Sequence, residues 1–356
     1  MENKILECVP NFSEGRDLNI IRQITNEIES VNEVVLLDVD SGNDTNRTVV
    51  TFAGNPEAVV EAAFCAVKKA AGLIDMSKHS GAHPRIGATD VCPLIPVSGV
   101  TMDEAVAYAR KLARRIGEEL SIPVYCYENA AFVEERKNLA NCRSGEYEGL
   151  PKKLLDIRWK PDFGAATFNK QSGATIVGAR DFLVAYNINL NTTSVELAKD
   201  IAYNIREKSK TISSLKAVKA IGWFIKEYGK AQVSMNLTDI SVTPVHIAFD
   251  EVCRQAETRG LKVTGSELVG LIPLKSLLDA GRHFLQKQKR LTEVSDTELI
   301  KVAVESLGLN DVKLFNPDEK IFEYAMAKKS ATYCDFFTGQ TFIHFAQLTH
   351  FPLSGS

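Results

Sequence analysis

The sequence has no paired-cysteine spacing, no long apolar run and no surplus of charge of either sign. Its seven cysteines (Cys8, Cys65, Cys92, Cys126, Cys142, Cys253 and Cys334) are scattered singly and odd in number. Without a CxxC pair they build neither a zinc ribbon nor a disulfide framework, and they read as reduced thiols used as small apolar residues. No window approaches the about 18 consecutive apolar residues of a membrane span. Met1-Glu2-Asn3-Lys4 lacks the basic-then-apolar layout of a signal peptide, so a cytoplasmic location is expected. Lys+Arg total 42 against 45 Asp+Glu, a net charge of -3 without the basic excess of a nucleic-acid binder. Walker-type, dinucleotide-binding and G-x-S-x-G patterns are all missing, which removes nucleotide hydrolysis and serine-hydrolase chemistry.

What is present is an ordinary globular balance, 45% hydrophobic and 24% charged over 356 residues. That length suggests two domains at roughly 100–200 residues each. Ile5 to Val9 reads as a strand ended by Pro10, and Ile20, Ile21, Ile24 and Ile28 recur at helical spacing within about 17–30. Val34 to Asp40 and Arg47 to Gly54 are strands joined by the turn formers of 41–46. Pro56 opens a helix to about Ala71, and Ala88 to Val97 is a strand interrupted by Pro93 and Pro96. The order is β-α-β-β-α-β, the split βαβ plan. A helix over 102–120 and a strand over 122–127 follow, then loop and short helix to about Gly173.

The second half repeats the plan: strand 182–190, helix 194–208, hairpin 218–227 with 231–237, helix 244–259 and strand 261–269. The expected fold is therefore α+β, two ferredoxin-like subdomains whose mixed sheets carry helices on the outside and face each other. The expected divisions are 1–181, 182–326 and a tail of unknown role, 327–356, rich in phenylalanine.

Three segments could carry chemistry. In His79-Ser80-Gly81-Ala82-His83-Pro84-Arg85 two histidines lie four apart, but Gly81 and Pro84 disfavour the helix that would bring both to one metal, and no zincin glutamate is present. No metal is expected; an imidazole beside Arg85 on a Gly-rich loop suits acid–base work. Asp38 and Asp40 point to one side of a strand end near Arg47, where they either form an ion pair or orient a histidine or substrate cation. The loop from Pro161 to Gly173 is either an inter-domain connection or the lining of a pocket for a flat ligand, with Trp159, Phe163 and Phe168 near at hand.

Together these segments resemble the glutamate formimidoyltransferase family, the formiminotransferase part of the formiminotransferase-cyclodeaminase enzymes. The resemblance is carried by Glu7-Cys8-Val9-Pro10-Asn11-Phe12-Ser13-Glu14-Gly15, Leu36-Leu37-Asp38-Val39-Asp40-Ser41-Gly42, Thr45-Asn46-Arg47-Thr48 and His83-Pro84-Arg85. It continues in Asp90-Val91-Cys92-Pro93, Gly145-Glu146-Tyr147-Glu148, Pro161-Asp162-Phe163-Gly164, Asn187-Ile188-Asn189-Leu190, Ala220-Ile221-Gly222-Trp223 and Gly265-Ser266-Glu267-Leu268-Val269-Gly270. It implies transfer of a formimino group from N-formimino-L-glutamate to N5 of tetrahydrofolate as co-substrate, a step of histidine degradation, by a homodimer with a possible separate cyclodeaminase partner. The family's catalytic histidine falls on His83. Its folate-binding loop falls on Gly164, Ala165, Ala166, Thr167, Phe168, Asn169, Lys170, Gln171, Ser172 and Gly173.

One imidazole can take the N5 proton and return it to the departing glutamate nitrogen. On this expectation Asp40 orients His83 or pairs with the substrate amidinium, and Arg47 and Arg85 bind carboxylates. Two rivals remain open: formyl transfer between glutamate and 5-formyltetrahydrofolate, and a folate- or amino-acid-binding sensor without turnover.

Overall fold

The computed structural model describes residues 4–289 and 294–337, of which 330–337 are described as backbone. Proline shapes the first strand at once: β1 (Ile5–Cys8) stops at Val9-Pro10 and resumes as β2 (Asn11–Phe12), both pieces pairing with the same two neighbours. Helix α1 (Leu18–Glu29) begins where Asp17 accepts from the Asn19 and Ile20 amides, and it buries Ile21, Ile24 and Ile28. Strands β3 (Val34–Gly42) and β4 (Arg47–Gly54) form the hairpin, and Asn55 caps α2 (Pro56–Leu73). Strand β5 (Thr89–Ser98) closes the unit, and a Thr101–Glu104 capping box starts α3 (Met102–Leu120).

The first sheet does not end there. Strand β6 (Val124–Glu128), helices α4 (Leu139–Arg143) and α5 (Glu146–Lys153), and strand β7 (Thr175–Ala179) extend it, giving the order β3-β4-β1/β2-β5-β7-β6 with the last three strands parallel. Helices α1, α2 and α3 cover one face over a core that includes Leu6, Phe12, Phe52, Leu94 and Leu112.

The second half runs β8 (Val184–Leu190), α6 (Val195–Ile205), β9 (Val218–Ile225), β10 (Lys230–Leu237), α7 (Val245–Glu257) and β11 (Val263–Val269). Its antiparallel order β11-β8-β10-β9 is that of the first four-stranded unit. Alternate residues Tyr186, Ile188, Val233 and Met235 face α6, α7, α8 (Leu274–Lys287) and α9 (Asp296–Leu307).

The other faces of the two sheets turn toward each other. Asp40 Oδ2 accepts from the Gly270 amide at 3.3 Å, Asp44 Oδ2 from the Glu227 amide at 2.9 Å, and Lys320 on α10 (Pro317–Lys320) binds Asp38 at 3.0 Å. Helix α11 (Phe322–Phe337) crosses back onto the first sheet, where Phe322, Ala325 and Met326 pack with Ile5, Leu37 and Ala53. Lys329 Nζ donates to the Leu36 and Leu37 carbonyls. The segment expected as a tail thus begins inside a packed helix; residues 338–356 lie outside the described residues. Among the described residues no helix is long and apolar enough to cross a membrane.

Candidate active site

The His79–Arg85 segment is clamped against the β3–β4 turn. Gly81 lies so close that a Cβ there would meet Thr45 O at 2.2 Å, Asn46 Nδ2 donates to Ser80 O, and the Ala82 amide donates to Asp44 O. His83 is part-buried, and its Nδ1 lies 2.7 Å from the Pro84 carbonyl. A carbonyl only accepts, so Nδ1 carries the proton and Nε2 holds a free lone pair. Burial, then the Arg47 and Arg143 cations, press the imidazole well below its usual range, with Asp90 and the Pro84 carbonyl opposing. At neutral pH the ring is an uncharged base.

Asp90 is the carboxylate whose charge acts on this ring. It is fully buried and accepts from Arg47 Nη1 at 2.7 Å, Arg143 Nη2 at 2.6 Å and the Ile86 amide at 3.0 Å. Burial alone would raise its pKa, but Arg143 and Arg47 overcome that and hold it ionised. Arg47 Nε donates to Asn11 Oδ1; burial lowers its pKa to about 10, against the pull of Asp90, and it stays charged.

The other expected residues divide. Asp40 meets Lys320 at 3.2 Å and Lys313 at 3.5 Å, so its partners lie in the second half and hold the seam. The carboxylate that acts on His83 is Asp90 instead. Arg85 is committed to the protein: Nη1 binds Glu146 and Glu148, Nη2 binds Glu148 and the His79 carbonyl, and Nε donates to His79 Nδ1. Every nitrogen of the fork has a partner, because α5 delivers two glutamates to it. That bond fixes His79 in the opposite tautomer, its Nε2 donating to Asn46 O at 2.9 Å. His79, Ser80, Gly81, Arg85, Gly145, Glu146 and Glu148 line an open cleft of ≈ 480 Å³ beside the histidine loop.

The Gly164–Gly173 loop hangs between two glycines whose positive φ of 79° and 68° and close contacts exclude a side chain: a Cβ would meet Ile122 O at 2.4 Å and Ile86 O at 2.2 Å. Its second end joins the histidine segment through Ala88 N to Ser172 O and Ala174 N to Ile86 O. Ala165, Ala166, Thr167, Lys170 and Gln171 are exposed, and Phe168 lies 5.4 Å from the Tyr147 ring. Asn169 Oδ1 accepts from the Gln171 and Ser172 amides, and the buried Ser172 hydroxyl has no protein partner.

Across from His83 stands the second sheet, with its Trp223 ring 6.1 Å from the imidazole, centroid to centroid. Trp223 Nε1 donates to Gln232 Oε1, Gln232 Nε2 to Asn189 and Glu267, and Asn187 Nδ2 and Tyr228 OH to Glu267. This polar row sits on the face opposite the core. Sequence reading assigned roles to neither it nor Asp90 and Arg143; the alternation of Asn187 and Asn189 within an apolar strand was the available signal. Among the described residues no group of three or more His, Cys, Asp or Glu is placed to hold a metal.

Two family models match the chain: the formiminotransferase domain, N-terminal subdomain, over residues 5–180, and the formiminotransferase domain over residues 185–327. A glutamate formimidoyltransferase of Thermoplasma acidophilum is 44% identical over 79% of this chain and 92% of its own, and one from Streptococcus pyogenes serotype M1 is 42% identical over 80% and 94%. A formimidoyltransferase-cyclodeaminase of Gallus gallus is 50% identical over 90% of this chain. The chain spans 60% of that fused relative's length.

Proposed function

The chain belongs to the formiminotransferase domain family, and we propose that it moves the formimino group of N-formimino-L-glutamate onto N5 of tetrahydrofolate, releasing L-glutamate. The observation that carries this reading is the uncharged His83, with Nδ1–H spent on Pro84, the Nε2 lone pair free and the Trp223 ring of the second sheet 6.1 Å away. N5 attacks the amidine carbon and forms the new C–N bond. Nε2 takes the N5 proton, and the resulting imidazolium gives it to the glutamate nitrogen as the old C–N bond breaks. Asp90 favours that transient cation, while Arg47 keeps it short-lived.

Arg47 is the guanidinium for a donor carboxylate in this reading, and Arg85 positions His79 and the loop. Asp40, with Asp38, acts by fixing the seam through Lys320. The flat, neutral pterin suits the wall formed by Trp223 and its amides, and the exposed Gly164–Gly173 loop suits the rest of the folate. A homodimer, a cytoplasmic setting and a cyclodeaminase partner belong to the same reading, the last supported by the paired names of the fused relatives. The test is incubation of the purified chain with tetrahydrofolate and N-formimino-L-glutamate. Formation of 5-formiminotetrahydrofolate is expected; glutamate release from N-formyl-L-glutamate alone contradicts the reading.

A further inference from the structure

Two guanidinium groups whose charges act on His83 share one carboxylate, and no second carboxylate among the described residues pairs with either. Arg143, the last residue of α4, binds Asp90 through Nε at 3.3 Å and Nη2 at 2.6 Å; Arg47 binds it from the other side. With the Ile86 amide added, Asp90 receives four donors, which fills its lone-pair sites. It can offset no more charge. Arg47 and Arg143 are only 8% and 14% exposed, so water does little to stabilise the surplus cation. Arg47 Nη2 and Arg143 Nη1 have no hydrogen-bond partner among the described residues. The cluster carries one net positive charge with little water to screen it.

We infer that Arg143, together with Arg47, anchors the α-carboxylate of the formimino donor. This rests on the functional reading above. Three carboxylates compete for the place. The donor's α-carboxylate is attached to the same carbon as the nitrogen that His83 must protonate, so it lies within reach of a cation pair in the field of that ring. The donor's side-chain carboxylate is two methylenes further away. The folate carboxylates lie beyond the whole p-aminobenzoyl spacer from N5. Arg85, nearer to His83 in sequence, is saturated by Glu146, Glu148 and His79. A second arginine from a distant helix therefore supplies what a bidentate clamp requires.

The full chain and its Arg143→Ala and Arg143→Lys variants decide the matter with two donors, N-formimino-L-glutamate and N-formimino-γ-aminobutyrate, which lacks only the α-carboxylate. Wild type should prefer the first in kcat/KM by roughly hundredfold, and Arg143→Ala should cut that preference to a few-fold through the donor KM, leaving the tetrahydrofolate KM about unchanged. Arg143→Lys should recover part of it. An equal loss on both donors overturns the inference, because a merely structural residue does not tell them apart. A calorimetric titration with L-glutamate and γ-aminobutyrate needs no turnover. Loss of L-glutamate binding with γ-aminobutyrate binding about unchanged in a folded Arg143→Ala protein, partly restored in Arg143→Lys, upholds the anchor even where transfer fails, in which case the functional reading alone falls; unchanged L-glutamate binding, or equal loss of both ligands, overturns it.

Discussion

Strands β4 and β10 hold equivalent places, each the third strand of a β-α-β-β-α-β unit, yet they send different chemistry to their uncovered faces. Strand β4 opens with Arg47, bound to a buried carboxylate and sharing it with Arg143. Strand β10 carries Gln232, bound to an indole, an amide and Glu267. The first sheet thus presents an ionic wall and the second a wall of mostly neutral hydrogen bonding. The shared topology explains where a ligand can sit; the side chains on the uncovered face determine which ligand. An anionic amidine donor fits the first wall, and a neutral pterin fits the second.

The largest effect should come from the residue between the walls. His83→Ala should lower kcat by roughly 10²–10⁴, with tetrahydrofolate affinity retained in a direct titration. Next comes the ionic wall itself. Asp90→Asn leaves two buried guanidinium groups uncompensated and should cost about 3–5 kcal/mol in urea unfolding. Glu267→Gln, its counterpart on the other wall, exchanges hydrogen bonds to neutral donors and should cost about 1 kcal/mol. Equal costs would erase the distinction between the walls. Smaller still, Gln232→Ala should raise the tetrahydrofolate KM about tenfold by freeing Trp223, with the donor KM about unchanged in steady-state kinetics.

Much of this architecture is legible in the sequence because its determinants are local. Arg47–Gly54 has the bounds expected of it, and the helix over 102–120 follows from a capping box and a helical apolar stripe. Strand β7 is not legible: five residues that include Gly178 gain their structure only from parallel pairing with β5 and β6. Helices α8 to α11 are likewise not legible, and α11 owes its place to Leu37 and Ala53, far back in the chain.

The site divides in the same way. His83 is marked by its loop, and the shared side of Asp38 and Asp40 follows from strand alternation. Their partner Lys320 lies about 280 residues away, as does nothing a local pattern can report. Arg85 looks free in sequence because the glutamates that occupy it arrive on a helix 61 and 63 residues later. Asp90 and Arg143, 53 residues apart, meet only in the fold.

The claim that joins the two walls is the state of one imidazole. Burial and the paired arginines make His83 harder to protonate, so its lone pair is present at neutral pH and should persist as the pH falls through the ordinary histidine range. Nitrogen-15 NMR of the histidine side chains, assigned by comparison with His83→Ala, reads this directly. The expected result is an Nδ1–H tautomer with no titration of His83 near pH 6.5; an Nε2–H tautomer, or a midpoint at or above that pH, would contradict the account.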